Sequence, residues 1–307
     1  MKRQLRLQFD ERRGVLLAVI GFILLSLGDV VLKSVAGEWA TTAIGALRYS
    51  MGAVILGIVL YAREGGAGFV PKRPLVHLMR GGGVALAMAC FVTSLRFMPL
   101  IDATAIGFTS PIITAFLAAI LLKERVKRVT WFATLLGFSG VLIVLRPSLL
   151  DLGALALLPV IVAFGMSLLV IGNRVVAGEG SALSMQFHVA APAAVFLMLF
   201  AAGGHFSGVD FLHVGGMPNP GVVIAALVVA ASATTAHWLI YLGTTKSGAS
   251  TIAPLTYVQV LVAGTLGWIV FGHTPDAMAF VGIAVIIVSG LIIWHSREAK
   301  SLPDEAG

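Results

Sequence analysis

The stretch that decides the fold lies near the N-terminus, at residues 14–35, and reads GVLLAVIGFILLSLGDVVLKSV. Its length matches the roughly 20 apolar residues that an α-helix needs to cross the hydrocarbon core of a bilayer. Basic residues precede it, as in a secretory signal, but the run exceeds the about 7–15 residues of a signal's apolar core and contains Asp29 and Lys33. We therefore expect a first membrane-spanning helix that is retained.

Further segments of the same kind follow along the whole chain, with short connections between them. The ten predicted spans cover residues 14–35, 40–62, 74–97, 102–122, 130–146, 151–176, 182–203, 218–243, 248–271 and 276–296. The fifth is short, and we expect Pro159 to interrupt the sixth. Hydrophobic residues make up 58% of the 307 residues and charged residues 11%, against about 25% charged residues in soluble domains. The composition predicts an all-α membrane protein and excludes a soluble, disordered or disulfide-stapled chain.

The basic residues predict the orientation of the chain in the membrane. With the N-terminus placed inside, 17 of the 21 Lys and Arg residues fall on the cytoplasmic side, as the positive-inside rule requires. Both termini are then cytoplasmic, including an N-terminal segment at residues 1–13 and a polar tail at 297–307. The predicted location is the inner (plasma) membrane. We attribute the net charge of +7 to basic residues on the cytoplasmic side of this membrane and not to nucleic-acid binding.

The two halves of the chain resemble each other weakly. Lys33 near the end of helix 1 corresponds to Arg174 in helix 6, and Gly140 in helix 5 corresponds to Gly290 in helix 10. Each half holds five helices, an odd number, so the second half must enter from the opposite side. This pattern predicts two five-helix units, at residues 14–146 and 151–296, in an inverted-topology repeat of the kind found in secondary transporters.

Ionisable residues at membrane depth are the best candidates for function, because they are costly there and tend to face a protein interior or a watery cavity. Helices 1 to 4 place five of them in one predicted outer layer: Asp29, Lys33, Arg48, Arg96 and Asp102. This layer predicts a polar cavity that binds substrate; the alternative is a set of structural ion pairs, Asp29 with Lys33 and Arg96 with Asp102. Arg48 is the strongest candidate, since it is deep and has no partner on its own helix.

The second half carries polar aromatic and amide side chains instead of charges. Trp238, Tyr257 and Gln259 are candidates for lining the cavity. His188 and His237 are candidate proton carriers, because imidazole titrates near neutral pH; the alternative is that each histidine makes a structural hydrogen bond. A small-molecule substrate, the lipid bilayer and protons are the expected partners, and a homodimer is left open.

Several classes of function have no support in the sequence. The phosphate-binding pattern GxxxxGK[ST] of ATP-driven pumps is absent, and so are an HExxH zinc motif and an acidic cluster for magnesium. The single cysteine, Cys90, excludes an internal disulfide. We therefore expect no metal, no cofactor and no enzymatic activity, and we keep a channel or an intramembrane enzyme only as an alternative.

The chain resembles the drug/metabolite transporter superfamily, and within it the EamA-type transporters. The stretches that carry the resemblance are LRYSMGAVIL around Arg48, residues 102–111, Leu121-Leu-Lys-Glu124 and Gly137-Phe-Ser-Gly140 in the first half. Residues 249–254, Tyr257-Val-Gln259 and Gly267–Gly272 form a second copy. In this copy His273 occupies the position that corresponds to Glu124, where the family usually has Glu. The element Asp29-Val-Val-Leu-Lys33 is similar to the branch that holds riboflavin and S-adenosylmethionine transporters.

The resemblance implies a ten-helix bundle in which helices 5 and 10 lie at the periphery. It implies secondary transport of a small organic metabolite by alternating access, the substrate being riboflavin-, S-adenosylmethionine- or amino-acid-like, with export of amino acids or drugs as the alternative. Arg48 would pair with an anionic substrate group, and Asp29 with Lys33 would form a switchable ion pair. The roles implied for the remaining candidates are substrate contact for Tyr257, Gln259 and Trp238, and coupling or gating for Asp102, Arg96, His188, His237 and Glu124.

Overall fold

The computed structural model describes residues 2–121, 128–247, 252–273 and 276–298, and these residues form α-helices and short 3₁₀ helices without a strand. The α-helices are α1 (Lys2–Val35), α2 (Thr41–Glu64), α3 (Pro74–Phe97), α4 (Leu100–Gly107), α5 (Ser110–Leu121), α6 (Arg128–Leu152), α7 (Leu158–Val175), α8 (Ala182–His205), α9 (Pro220–Ser247), α10 (Val258–Phe271) and α11 (Ala277–Glu298). The 3₁₀ helices are Gly65–Phe69, Gly153–Leu157, Asp210–Leu212 and Ala253–Tyr257.

The predicted spans correspond to these helices, with changes at proline residues. Span 4 is divided into α4 and α5, because Pro111 has no N–H to donate to the carbonyl of Gly107, four residues earlier. Span 6 is also divided, just before Pro159: α6 ends at Leu152, Gly153–Leu157 form a 3₁₀ helix, and α7 begins at Leu158. Pro159 lies in the first turn of α7, where its missing N–H has no helical partner to lose. Span 1 also starts earlier than expected: α1 begins at Lys2, so helix continues through most of the predicted N-terminal segment.

Length and exposure both fit a bilayer. Seven helices within the described ranges are long and apolar enough to cross a membrane, and shorter apolar helices lie at Trp131–Val144, Leu255–Phe271 and Ala277–Ile292. Large apolar side chains cover the outside of the bundle; for example, Leu135 is 72% exposed and Ile58 is 66% exposed. Such a surface is stable only against lipid, so the chain is an all-α, multi-pass membrane protein.

The helices pack mainly in four pairs, α1 with α9, α2 with α8, α3 with α7 and α6 with α11. Glycine permits the closest approaches. A Cβ atom on Gly140 in α6 would lie 2.8 Å from the carbonyl oxygen of Gly282 in α11, and a Cβ atom on Gly282 would lie 2.8 Å from that of Gly140. In lipid, where apolar side chains gain nothing by leaving the solvent, such backbone contact is a main source of helix association.

The four pairs leave a central region bordered by helices of both halves. The largest core cluster joins residues of α1, α2, α3, α4, α8, α9 and α10, whereas α6 and α11 pack on each other to one side, with α4 and the chain around Tyr257. We call the end of the bundle where α1 begins, α2 ends and α3 begins the basic end, and the other the opposite end. Candidate residues occur at the centre and at both ends.

Candidate functional site

The centre of the bundle holds a carboxylate that is bound by an amide. Nε2 of Gln259, at the start of α10, donates to Oδ2 of Asp29 in α1 at 3.2 Å. The hydroxyl of Ser26, one turn before Asp29, donates to the backbone carbonyl of Gln259 at 3.0 Å. These two bonds hold α1 and α10 in register and keep one face of the half-buried Asp29 carboxylate turned inward.

Arg48 of α2 lies in the same region and acts electrostatically on Asp29. Its Nη1 donates to the thioether sulfur of Met88 at 2.9 Å, and its guanidinium carbon lies 5.0 Å from the ring centre of Tyr49. A thioether is a weak acceptor, and within the described part of the chain no carboxylate lies within ion-pair distance of Arg48. The half-buried guanidinium therefore has most of its five N–H groups available for a ligand.

His237 of α9 completes the central group. Arg48 also acts electrostatically on His237, although the imidazole is exposed. Its Nδ1 lies 2.6 Å from the carbonyl oxygen of Ala233 and must be the donor, because a carbonyl only accepts. In a neutral ring Nε2 is then free to accept. Trp238, the next residue, is 61% exposed. We call Asp29, Arg48, His237 and Gln259 the central site.

Lys33 does not pair with Asp29. Its Nζ donates to the backbone carbonyls of Leu95 at 2.9 Å and Met98 at 2.8 Å, and it lies 5.5 Å from the ring centre of Phe271. Lysine at this place satisfies carbonyls that the end of α3 leaves without helical partners. In this conformation the predicted Asp29–Lys33 ion pair is therefore absent.

Asp102 lies near Lys33 at the opposite end. It is buried in the first turn of α4, and its Oδ1 has no hydrogen-bond partner among the described residues. Lys33 acts on it favourably and Asp276 unfavourably. Arg96 does not pair with it: this side chain is exposed, with Nη1 3.5 Å from the carbonyl oxygen of Gly37. The predicted Arg96–Asp102 pair is therefore also absent.

His273 lies beyond the end of α10, in the connection to α11. Partial burial and the charge of Lys33 both lower the pKa of this imidazole from its usual value near 6.5. A neutral His273 thus replaces the acidic residue that the family resemblance leads one to expect. The counterpart, Glu124, lies outside the described residues.

The basic end holds a polar cluster centred on Arg80 of α3, which is only 4% exposed. Its Nε donates to Oδ1 of Asn173 in α7 at 2.8 Å, and its Nη2 to the carbonyl oxygen of Met185 in α8 at 3.3 Å. Nη1 donates to Nδ1 of His77 at 2.7 Å, so His77 accepts there and must be neutral. Arg80 therefore ties α3 to both helices that begin the second half.

His188 of α8 joins this cluster. Its ring centre lies 4.9 Å from that of His77, its Nδ1 lies 3.2 Å from Oγ of Ser184, and its Nε2 lies 3.3 Å from the carbonyl oxygen of Phe69. Nearby, Nε of Arg73 forms an ion pair of 2.8 Å with Glu179. We call Arg80, His77, His188, Asn173 and Met185 the Arg80 cluster. It joins the first and second halves of the chain at the basic end.

Tyr257 is not part of the central site. Its hydroxyl packs against Gly290 of α11, and its ring centre lies 6.2 Å from that of Phe108. Sequence reasoning also missed Arg80, which was counted only among the basic residues of the cytoplasmic side, and His77. The signal that could have found them is their spacing of three residues on one apolar helix, which places both on one face.

Comparison of the first half of the chain with models of known protein families identifies a relationship. Residues 12–146 match the family model described as EamA-like transporter family. This match places the first half of the chain in the EamA family, and the relatives that align with nearly the whole chain are transporters of the drug/metabolite transporter superfamily. As an EamA-type transporter, it is an integral membrane protein that carries a small metabolite, and the relatives of known function are transporters as well.

Curated relatives of this EamA-type transporter cover nearly the whole chain. The S-adenosylmethionine uptake transporter of Rickettsia bellii is 25% identical over 286 residues, which is 91% of this chain and 94% of that protein. The riboflavin transporter of Rhizobium johnstonii is 27% identical over 293 residues, covering 94% and 93%. The pseudopaline exporter of Pseudomonas aeruginosa is 22% identical over 291 residues, covering 94% and 98%.

A solved structure shares the fold of this EamA-type transporter. It is described only as "Crystal structure of protein" and superposes with a TM-score of 0.59 at 16% identity, covering 94% of this chain and 99% of that one. At this identity the likeness concerns the fold alone.

Proposed function

We propose that this EamA-type transporter works by alternating access around the central site. The observation that carries the proposal is that residues of α1, α2, α9 and α10 act on one another inside the bundle: Gln259 donates to Asp29, and Arg48 acts electrostatically on both Asp29 and His237. The Arg80 cluster lies between this site and the basic end, and the group around Lys33 and Asp102 lies on the other side. A binding site between two polar closures is the arrangement that alternating access requires.

We infer that the two halves are an inverted repeat, with units at residues 14–146 and 151–296. The pattern of helix contacts supports this. In such a repeat, spans 1 to 5 correspond to spans 6 to 10. Under this correspondence the α1–α9 pair becomes the α7–α3 pair, and the α2–α8 and α6–α11 pairs each become themselves. Two such units could rock about the site they share. All residues of the central site come from one chain, so the site needs no homodimer.

The substrate is, in this proposal, a small organic metabolite in the range that the relatives transport. Their names include S-adenosylmethionine uptake, riboflavin transport and pseudopaline export. Each of these compounds is a polar organic molecule that cannot cross a bilayer unaided. The mixed polar and charged lining of the central site suits such a molecule better than a bare ion or a lipid.

We further propose that protons act on the Arg80 cluster. Nδ1 of His77 accepts a hydrogen bond from Arg80, and a protonated His77 could not accept it. Protonation beside Arg80, His188 and the nearby Arg73–Glu179 ion pair would therefore weaken the closure at the basic end. His237 is the corresponding proton acceptor at the central site. In this proposal the basic end faces the cytoplasm, because most Lys and Arg residues lie there, and the membrane is the inner membrane.

Counterflow in proteoliposomes tests the transport mechanism. Purified protein is reconstituted, vesicles are loaded with one unlabelled candidate at a time, and uptake of the labelled compound is followed. A carrier gives saturable uptake that is accelerated by the unlabelled compound on the other side. Uptake that neither saturates nor shows counterflow, or an ion current through the protein, would contradict alternating access and favour a channel.

A further inference from the structure

The central site contains two opposite charges that do not neutralise each other. Oδ2 of Asp29 is held by Gln259, and Arg48 is held by Met88 and by the ring of Tyr49. Among the described residues neither side chain forms an ion pair, although each acts electrostatically on the other. Lys33, the other cation near Asp29, is engaged with the carbonyls at the end of α3.

An ionised side chain inside a membrane protein is costly unless an oppositely charged or hydrogen-bonding partner interacts with it. Both side chains keep part of their surface accessible, and the exposed His237, on which Arg48 also acts electrostatically, adds an acceptor at Nε2. The site therefore presents a guanidinium, which favours a carboxylate through paired hydrogen bonds, beside a carboxylate, which favours an ammonium or another organic cation. A neutral ligand would leave both charges without a partner.

We propose that the substrate is a zwitterionic amino-acid derivative, with its carboxylate on Arg48 and its cationic group on Asp29. This inference rests on the proposed function and names the substrate class of the same site. The proposal distinguishes between the compounds that relatives carry. S-adenosylmethionine has an amino-acid group and a sulfonium, whereas riboflavin carries no charge at neutral pH. Asp29 and Arg48 are then specificity-determining residues, and Gln259 is a positioning residue that orients the Asp29 carboxylate.

The first experiment compares substrates in the unmodified protein. Counterflow is measured with labelled S-adenosylmethionine and, in separate vesicles, with labelled riboflavin. We expect saturable counterflow of S-adenosylmethionine and none of riboflavin. Counterflow of riboflavin alone would overturn the zwitterion proposal and leave the transport mechanism standing, whereas the absence of saturable counterflow with every solute tested would overturn the mechanism and the proposal together.

The second experiment assigns the two ends of the substrate. Inhibition of the S-adenosylmethionine counterflow is measured with methionine, with methionine amide, which lacks the carboxylate, and with the deaminated hydroxy acid, which lacks the ammonium. Arg48→Gln should raise the KM for S-adenosylmethionine roughly ten- to hundredfold and remove the preference for methionine over its amide. Asp29→Asn should raise the KM similarly and remove the preference for methionine over the hydroxy acid.

Controls separate recognition from folding. Arg63→Gln and Asp210→Asn remove single charges from exposed positions at the ends of the bundle and should leave the KM unchanged. Arg48→Lys and Asp29→Glu retain the charge and should keep part of the preference, and monodisperse elution in detergent identifies folded variants. The proposal is overturned if folded Arg48→Gln and Asp29→Asn keep the wild-type preferences among the three inhibitors.

Discussion

At the scale of single residues, the charges inside the bundle are divided among three places. Sequence reasoning assigned Asp29, Lys33, Arg48, Arg96 and Asp102 to one layer, because distance along a helix gives depth in the membrane. The structure separates Asp29 and Arg48 at the centre from Lys33 and Asp102 at the opposite end, and leaves Arg96 exposed. Asp29 and Lys33 share one face of α1 and lie one turn apart, but the packing of the surrounding helices gives them different partners, Gln259 for Asp29 and the end of α3 for Lys33.

The Arg80 cluster gives a prediction at this scale. Arg80→Met should open the basic end, because Asn173 and His77 lose a buried partner. We expect a loss of about 1–3 kcal/mol in the free energy of unfolding. In a Cys90→Ala background, a cysteine placed at the buried Ala190, just beyond His188, should react faster with a polar maleimide.

Arg63→Met is the matched control, since Arg63 is exposed near the end of α2. It should change neither the stability nor the labelling rate. Equal labelling rates in Arg80→Met and in the control would show that the cluster does not close this end.

At the scale of helices, small residues determine which pairs pack closely. Gly83 and Gly165 bring α3 and α7 together, Gly14 and Gly243 bring α1 and α9 together, and Gly140 packs on α11. The sequence predicted the helices well, because an apolar run of span length has few stable alternatives in lipid. It did not predict the partners, because glycine occurs on many faces and only some of these faces meet another helix.

Gly140→Ala tests one such contact. The added Cβ atom would lie 2.8 Å from the carbonyl oxygen of Gly282 and 2.9 Å from Cγ1 of Ile286, which forces α6 and α11 apart. We expect a loss of about 1–3 kcal/mol in stability, measured by thermal unfolding in detergent.

The control for this substitution is Gly52→Ala in α2, where the added atom has nothing within 4 Å. This change should be neutral or stabilising by up to about 1 kcal/mol, because alanine is the better helix former. Equal melting temperatures for the two variants would contradict the role assigned to the α6–α11 contact.

At the scale of the whole molecule, the basic end carries both the excess of Lys and Arg and the closure made by the Arg80 cluster. In the proposed orientation this is the cytoplasmic end. Each of the four main helix pairs joins a helix of the first half to one of the second, so the proposed rocking of one half would change contacts throughout the bundle.

Orientation can be tested directly. A green fluorescent protein fused after residue 307 should fluoresce in cells, because it folds in the cytoplasm. A cysteine placed at Ser207, in the connection between α8 and α9, should react with a membrane-impermeant maleimide added to spheroplasts, in which the inner membrane is intact. The reverse pattern would invert the assignment of both ends and of the closure.

The sequence by itself determined the class of the protein and the approximate spans, because burial in lipid depends on composition and length. It also carried the family resemblance. Only the tertiary structure decided that Asp29 is bound by Gln259, that Lys33 donates to carbonyls at the end of α3, that Tyr257 packs on α11, and that Arg80 joins α3 to α7 and α8. These contacts join residues far apart in the chain, and the rotation of each helix, which pairwise packing sets, determines which of them form.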